Sequence, residues 1–155
     1  MLILRRATPD DAEAIFEVEQ ACFSIPWSLS AIEAELDEDM QEQRLYLVAE
    51  EEGQIVAYAG AWLVLDEGQI TNIAVIPEAR RQGIGAMITR KLMRLLFEAS
   101  MNEIFLEVRL SNLGALAMYR RLGFTVKGIR KNYYTEPVED AYIMSCTKDE
   151  IYHKE

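Results

Sequence analysis

Histidine is almost missing from this chain: its 155 residues hold one, His153, close to the C-terminus. That argues against a histidine-based metal site and against a Ser-His-Asp triad. Cysteine is nearly as scarce. Cys22 and Cys146 lie far apart, lack metal-ligand spacing, and read as reduced, mostly buried thiols of a cytoplasmic protein. No metal is expected. No apolar stretch approaches the roughly 20 residues that a bilayer span needs, so no membrane partner is expected. The opening MLILRRATPDD turns acidic at once, without the basic start, apolar block and small-residue cleavage site of a secretory leader. Positive charge is in deficit, 16 Lys and Arg against 26 Asp and Glu for a net charge of -10, which argues against direct nucleic-acid binding. Internal repeats, low-complexity tracts and linkers are absent too, so residues 1–155 are expected to form a single domain with a real core.

What is present alternates between two periods. ILRRA reads as a short strand. Thr8-Pro9-Asp10-Asp11 opens a helix, with Thr8 as cap, Pro9 in the first turn and acids at the positive end of the dipole. Ile15, Val18 and Cys22 follow at helical spacing. Ile25-Pro26-Trp27-Ser28 breaks the pattern, and Ser28 or Ser30 caps a second helix through SAIEAEL. RLYLVAEE, IVAYAGAWLVL and QITNIAVI read as strands joined by turns at Glu52-Gly53-Gln54 and Asp66-Glu67-Gly68. Ile84, Ile88, Leu92, Leu95 and Leu96 mark a long helix. EIFLEVRL is the next strand, and SNLGALAMYRRLGF a short helix closed by Gly123 in a left-handed cap. FTVKGIR and DAYIMSCT are two final strands around a loop, KNYYTEPVE, and the last residues are expected to fray. The order is β-α-α-β-β-β-α-β-α-β-β, an α/β (α+β) chain. Its hairpin strands should be antiparallel, and the pair around the long helix parallel.

Between the third hairpin strand and the long helix stands Arg80-Arg81-Gln82-Gly83-Ile84-Gly85. The first N–H groups of a helix have no internal partner and lie at its positive end. Glycines let a phosphate approach the main chain, and arginines add charge at the rim. A glycine turn that serves packing alone would look similar. The Walker A and Rossmann patterns do not fit, since neither Gly-x-x-x-x-Gly-Lys-Ser/Thr nor Gly-x-Gly-x-x-Gly after a first strand occurs. The acids of IEAELDEDMQEQ read as a solvated face or as an attraction for a cationic substrate.

Arg80-x-x-Gly83-x-Gly85 after a strand ending in IAVIP resembles the acetyl-coenzyme A signature of GNAT-fold N-acetyltransferases, and the element order agrees along nearly the whole chain. LEVRLSNLGALAMYRRLGF, IRKNYY, DAYIM and IPWS resemble the RimI branch, bacterial acetyltransferases of a ribosomal protein's N-terminal alanine. The resemblance implies a mixed, mostly antiparallel sheet of about seven strands with a central parallel pair and about four flanking helices. It implies acetyl-CoA as cosubstrate, held by the backbone of Ile73, Ala74 and Val75 at the pantetheine arm. The pyrophosphate would lie over Arg81, Gln82, Gly83, Ile84, Gly85 and Ala86, with Asn112 as a further contact. Glu107 falls at the position of the general base and Tyr119 at that of the general acid, with a backbone N–H near Val75 for the thioester oxygen. A strand glutamate is otherwise ordinarily solvent-facing, and a helix tyrosine ordinarily packing. Trp27, Tyr133 and Tyr134 shape the peptide groove or plug the rim of the core. The implied partner is the N-terminus of a ribosomal protein, and the implied state a monomer or weak dimer. Acetylation of lysine, a polyamine or a small-molecule amine, and acyl-CoA sensing without catalysis, are the alternatives.

Overall fold

The computed structural model describes residues 1–150. His153 and the end of the segment expected to fray lie outside the described residues. The elements follow the expected order: β1 (Leu2–Arg6), α1 (Ala12–Cys22), α2 (Leu29–Glu35), β2 (Arg44–Glu51), β3 (Gln54–Val64), β4 (Glu67–Val75), α3 (Ile84–Glu98), β5 (Glu103–Arg109), α4 (Leu113–Arg121), β6 (Thr125–Thr135) and β7 (Val138–Thr147). The strands form one seven-stranded sheet in the order β1-β2-β3-β4-β5-β7-β6. Each neighbouring pair is antiparallel except β4–β5, the parallel pair bridged by α3.

Local chemistry explains the boundaries. The β2–β3 turn is Glu52-Gly53, with φ of 51° and 78°, the double left-handed geometry that matches strand twist in a two-residue hairpin. The β3–β4 turn differs from the expected Asp66-Glu67-Gly68. Val64 pairs with Glu67, so Leu65 and Asp66 turn the chain and Leu65 takes φ 56°. Gly68 is instead a strand residue lying under Leu96, where a Cβ would come within 3.1 Å of Leu96 Cδ1. At α1 the Thr8 N–H donates to Asp11 Oδ2 at 2.7 Å, with a 3-10 turn over Pro9–Asp11 leading in. Of the two serines before α2 the cap is Ser28, whose Oγ accepts from the Ala31 N–H at 3.1 Å. Gly123 closes α4 at φ 108°, as expected.

The sheet separates two apolar layers. Under α3 and α4, Ile88, Leu92, Met93 and Leu96 pack with Ile104, Leu106 and Val108 of β5 and with Leu116, Tyr119 and Phe124. Under α1 and α2, Ile15, Val18, Ile32 and Leu36 pack on Tyr46, Val48, Tyr58 and Ala74. Both cysteines carry free thiols, and burial pushes both thiol pKa values up, Cys146 to about 12.

The expected loop KNYYTEPVE is the main correction. β6 runs on to Thr135, and only Glu136-Pro137 separates it from β7. The pairing with β7 skips from Arg130 to Tyr134, so residues 131–133 bulge out of register, with Asn132 at φ 53° and its N–H on Asp140 Oδ1 at 2.8 Å. Tyr133 and Tyr134 are therefore strand residues. The bulge takes up Lys131, Asn132 and Tyr133, and Tyr134, a good strand former, re-enters the ladder opposite Glu139.

Candidate active site

β4 and β5 touch over a short length only: Glu67, Gly68 and Gln69 against Glu103, Ile104 and Phe105. Beyond that point β4 pairs with β3 alone and β5 with β7 alone, so the sheet opens between them. A bulge starts the divergence. Gly60 faces Asn72 and Ala61 faces Ile70, which leaves Thr71 as the extra residue.

Register decides which main-chain groups face this gap. The Ile76 N–H donates to Val56 O at 2.9 Å, which makes Ala57–Val75 a non-hydrogen-bonded antiparallel pair. The backbone groups of Ile73 and Val75 then point away from β3, into the gap, while those of Ala74 are taken by Tyr58. On the other lip the Leu110 N–H donates to Asp140 O at 3.3 Å, so Arg109 and Glu107 turn their backbone groups to the gap by the same rule. Of the three expected backbone contacts on β4, the geometry thus favours Ile73 and Val75 over Ala74. The Val75 carbonyl is already engaged, by Arg80 Nε at 2.9 Å and the Cys22 thiol at 3.3 Å, which leaves its N–H open. Arg80, an exposed residue, is thereby tied to β4 through its Nε.

The glycine loop lies against the same end of β4. Gly83 precedes α3 at φ 79°, and Arg81 is left-handed as well at φ 66°. The first internal bond of α3 runs from the Met87 N–H to Gly83 O, and the N–H groups of Gln82, Gly83, Ile84, Gly85 and Ala86 have no acceptor among the described residues. A Cβ on Gly83 would meet nothing within 4 Å, so the space beside it is open. A Cβ on Gly85 would sit 3.6 Å from Met118 Sδ and 3.7 Å from Val75 Cγ2, so the loop, β4 and α4 are contiguous. Ile84 itself is core, with its side chain turned inward. Asn112 caps α4, its Oδ1 accepting from the Ala115 N–H at 3.2 Å.

Glu107 and Tyr119 lie on opposite faces of the sheet. β5 alternates, with Ile104, Leu106 and Val108 buried under α3 and α4, which turns Glu107 to the α1–α2 face. Its carboxylate lies 3.5 Å from Arg130 Nε. Tyr119 lies under α4 at 9% exposure, its ring edge-on to Phe124 at 5.7 Å. Its hydroxyl donates to no described residue, although no fully buried polar side-chain atom among them lacks a partner, so the hydroxyl touches accessible space. Burial, reinforced by the nearby Tyr134 phenol, raises the Tyr119 pKa well above the usual phenol value. Burial likewise pushes Tyr134 up to about 12, with the Glu107 charge contributing there and at Tyr133. Geometry joins three of these groups: Arg130, beside Glu107, also lies 5.8 Å from the centroid of the Tyr133 ring, which stands edge-on to Tyr134. Trp27 stands apart from them. Its backbone N–H donates to Glu19 Oε1 at 2.8 Å, and it packs on the second core, with no hydrogen bond or ring contact to the tyrosine pair among the described residues.

Residues 12–124 match the acetyltransferase (GNAT) family. The chain belongs to the GNAT acetyltransferase family. A provisionally named ribosomal protein bS18-alanine N-acetyltransferase of Bacillus subtilis is 40% identical over 147 residues, covering 95% of this chain and 96% of the relative. The ribosomal protein bS18-alanine N-acetyltransferase of Escherichia coli K12 is 37% identical over 137 residues, covering 87% and 90%. A crystal structure of the ribosomal-protein-S18-alanine N-acetyltransferase from Escherichia coli superposes with a TM-score of 0.87 at 34% identity, covering 95% of this chain and 94% of that one. As a member of the GNAT family the protein is an acetyl-CoA-dependent N-acetyltransferase.

The residues present fit that carrier. A run of unpartnered N–H groups beside an open left-handed glycine suits a diphosphate. The exposed backbone edge of Ile73 and Val75 suits an extended arm that carries amides. Two cavities of about 530 and 630 Å³ lie elsewhere, one beside Arg5 and Asp11 and one under Leu63 and Leu95, and neither is lined by the glycine loop.

Two polar clusters lie on the α1–α2 face, and the second corrects the reading of Glu35 as part of a solvated acidic face, since its carboxylate is largely buried and fully engaged. Buried Glu19 accepts from the Tyr58 hydroxyl and from Asn72 Nδ2, binding α1 to β4 directly before Ile73. Glu35 accepts from Tyr46 Oη at 2.7 Å, from Trp62 Nε1 and from Arg44 Nε at 2.9 Å. Burial acts to raise the Glu35 pKa, but the three donors outweigh it and hold the carboxyl below its usual value. The available signal was indirect: polar residues at inward positions of otherwise apolar strands.

Proposed function

We propose that the protein acetylates the N-terminal α-amine of a ribosomal protein that begins with alanine. The observation that carries the reading is the single gap between β4 and β5, which has the glycine loop and Tyr119 on one face of the sheet and Glu107 on the other. Two reactants can meet there without sharing a doorway. The alanine-first acceptor rests on the relatives named above.

Acetyl-CoA supplies an activated acyl thioester, and Gln82 to Ala86, with Ile73 and Val75, are the groups that would hold it. An N-terminal amine titrates near 8 against about 10.4 for lysine, so it offers more free base at neutral pH. Glu107, directly or through a water, takes the proton that the amine must lose. The Val75 N–H, turned into the gap, donates to the carbonyl oxygen as negative charge builds there. Tyr119 donates its hydroxyl hydrogen bond, and finally its proton, to the departing sulfur. Its raised pKa keeps it in the neutral, donating form throughout the physiological range. Proton count closes: one leaves the amine through Glu107, and one reaches the sulfur.

The test is turnover of acetyl-CoA with a short, basic, alanine-first peptide, set against free lysine and spermidine. Faster acetylation of the peptide is expected. Faster acetylation of lysine or spermidine would overturn the acceptor, and coenzyme A binding without transfer to any amine would make the protein a sensor.

A further inference from the structure

We propose that Arg109 is a positioning residue for the acceptor: its guanidinium pins the β6–β7 turn and the Tyr134 ring to the end of β5, at the lip of the gap. The inference rests on the acceptor reading above. Arg109 Nη1 donates to Pro137 O at 3.0 Å and to Glu139 Oε1 at 3.2 Å, while Nη2 donates to Glu136 O at 3.1 Å. Its Cζ lies 4.1 Å from the centroid of the Tyr134 ring. One planar fork therefore holds two carbonyls of the turn, a carboxylate beyond it and an aromatic face before it.

Beyond the hairpin pairs Tyr134–Glu139 and Thr135–Val138, the bonds from Arg109 are the turn's only hydrogen bonds among the described residues. β6 is the last strand of the sheet, and residues 131–133 are bulged out of the ladder directly before Tyr134. The tip of this hairpin is thus oriented chiefly from β5, by a residue one position along the same face from Glu107. Glu139 extends the junction by accepting from the Ser111 N–H at 2.7 Å and the Ser111 hydroxyl at 2.9 Å, next to the Asn112 cap of α4. The arm bearing Tyr134 and the helix bearing Tyr119 are thereby fastened to one point. A lysine here would keep the charge but could not hold turn and ring together.

The experiment measures both Michaelis constants and kcat for Arg109→Lys, Tyr134→Ala and the double variant, with thermal melts to confirm folding. Arg109→Lys is expected to raise the KM for the alanine-first peptide about tenfold and leave that for acetyl-CoA within about twofold. Tyr134→Ala should do the same, and the double variant should be no worse than the more affected single one, because both act through one contact. Equal rises in both KM values, an unchanged acceptor KM, or multiplying effects would each overturn the proposal. The Tyr134 ring resonances, identified by their loss in Tyr134→Phe, provide a readout that needs no acceptor. They should move in Arg109→Lys, and unmoved resonances overturn the clamp. If the wild-type protein acetylates no peptide while those resonances do move, the acceptor reading has failed and the clamp stands.

Discussion

The two lips of the gap are built from different materials. The β4 lip and the glycine loop present main-chain N–H groups, fixed by register and by the left-handed Gly83. The β5–β7–β6 lip presents long side chains, Glu107, Arg109, Arg130, Tyr133 and Tyr134, on a sheet edge that ends in the exposed strand β6. Backbone recognition depends little on neighbouring side chains and strongly on whether the chain can adopt the shape. Side-chain recognition can change partner by substitution without disturbing the fold. The contrast teaches where a common carrier and a variable acceptor belong: the first against amides, the second against rings and charges.

Breaking the backbone side should have the largest effect. Gly83→Val forces a β-branched residue to φ 79° and fills the open space beside the unpartnered N–H groups. The strain is about 1–2 kcal/mol, which the fold can bear because no protein atom is met. Losing two charge-assisted hydrogen bonds corresponds to a drop in coenzyme A affinity of roughly 100-fold or more. Calorimetric titration beside a thermal melt checks both halves, and a collapsed melt would place the glycine's role in folding.

Next in size is Tyr119→Phe, expected to lower kcat by about 100-fold while coenzyme A affinity stays within about twofold. Equal losses in both would count against the hydrogen-bond donor. The pH profile sharpens the point. With its pKa raised above the phenol value near 10, Tyr119 stays protonated as pH climbs, so the wild-type rate should rise as the amine deprotonates near 8 and show no falling limb up to about pH 10.

Glu107→Gln comes third, with a loss of about 10- to 100-fold in kcat/KM that shrinks as pH rises and the amine arrives already deprotonated. A pH-independent loss would assign Glu107 to binding. The smallest effect belongs to Tyr133→Ala. That ring is 47% exposed and held edge-on to Tyr134 at 5.0 Å, so its removal should raise the acceptor KM about threefold and leave the acetyl-CoA KM unchanged.

Most of the architecture was legible because period and punctuation agree. The parallel pair, the left-handed Gly123 and the α3 face were all readable from spacing. The glycine loop was readable as a candidate because it joins a strand to a helix. What stayed hidden depends on phase and on distance along the chain. Adjacent aromatics break strand alternation, so Tyr133 and Tyr134 read as loop until the bulge at 131–133 explains them. Which of Ile73, Ala74 and Val75 presents its amide follows from the register with β3, which no single strand encodes. The Glu19 cluster joins residues 39 and 53 positions apart, beyond the reach of any local pattern.

That register leaves a signature in time as well as in space. Within β4, deep in the sheet, the amides of Ile73 and Val75 lack the ladder partner that Ala74 possesses. In heavy water the three should therefore exchange fast, slow, fast along one continuous strand, a stripe that ordinary central strands do not show. Saturating the protein with its carrier should erase the stripe by slowing the outer two, which makes isotope labelling a direct report of a docked thioester arm.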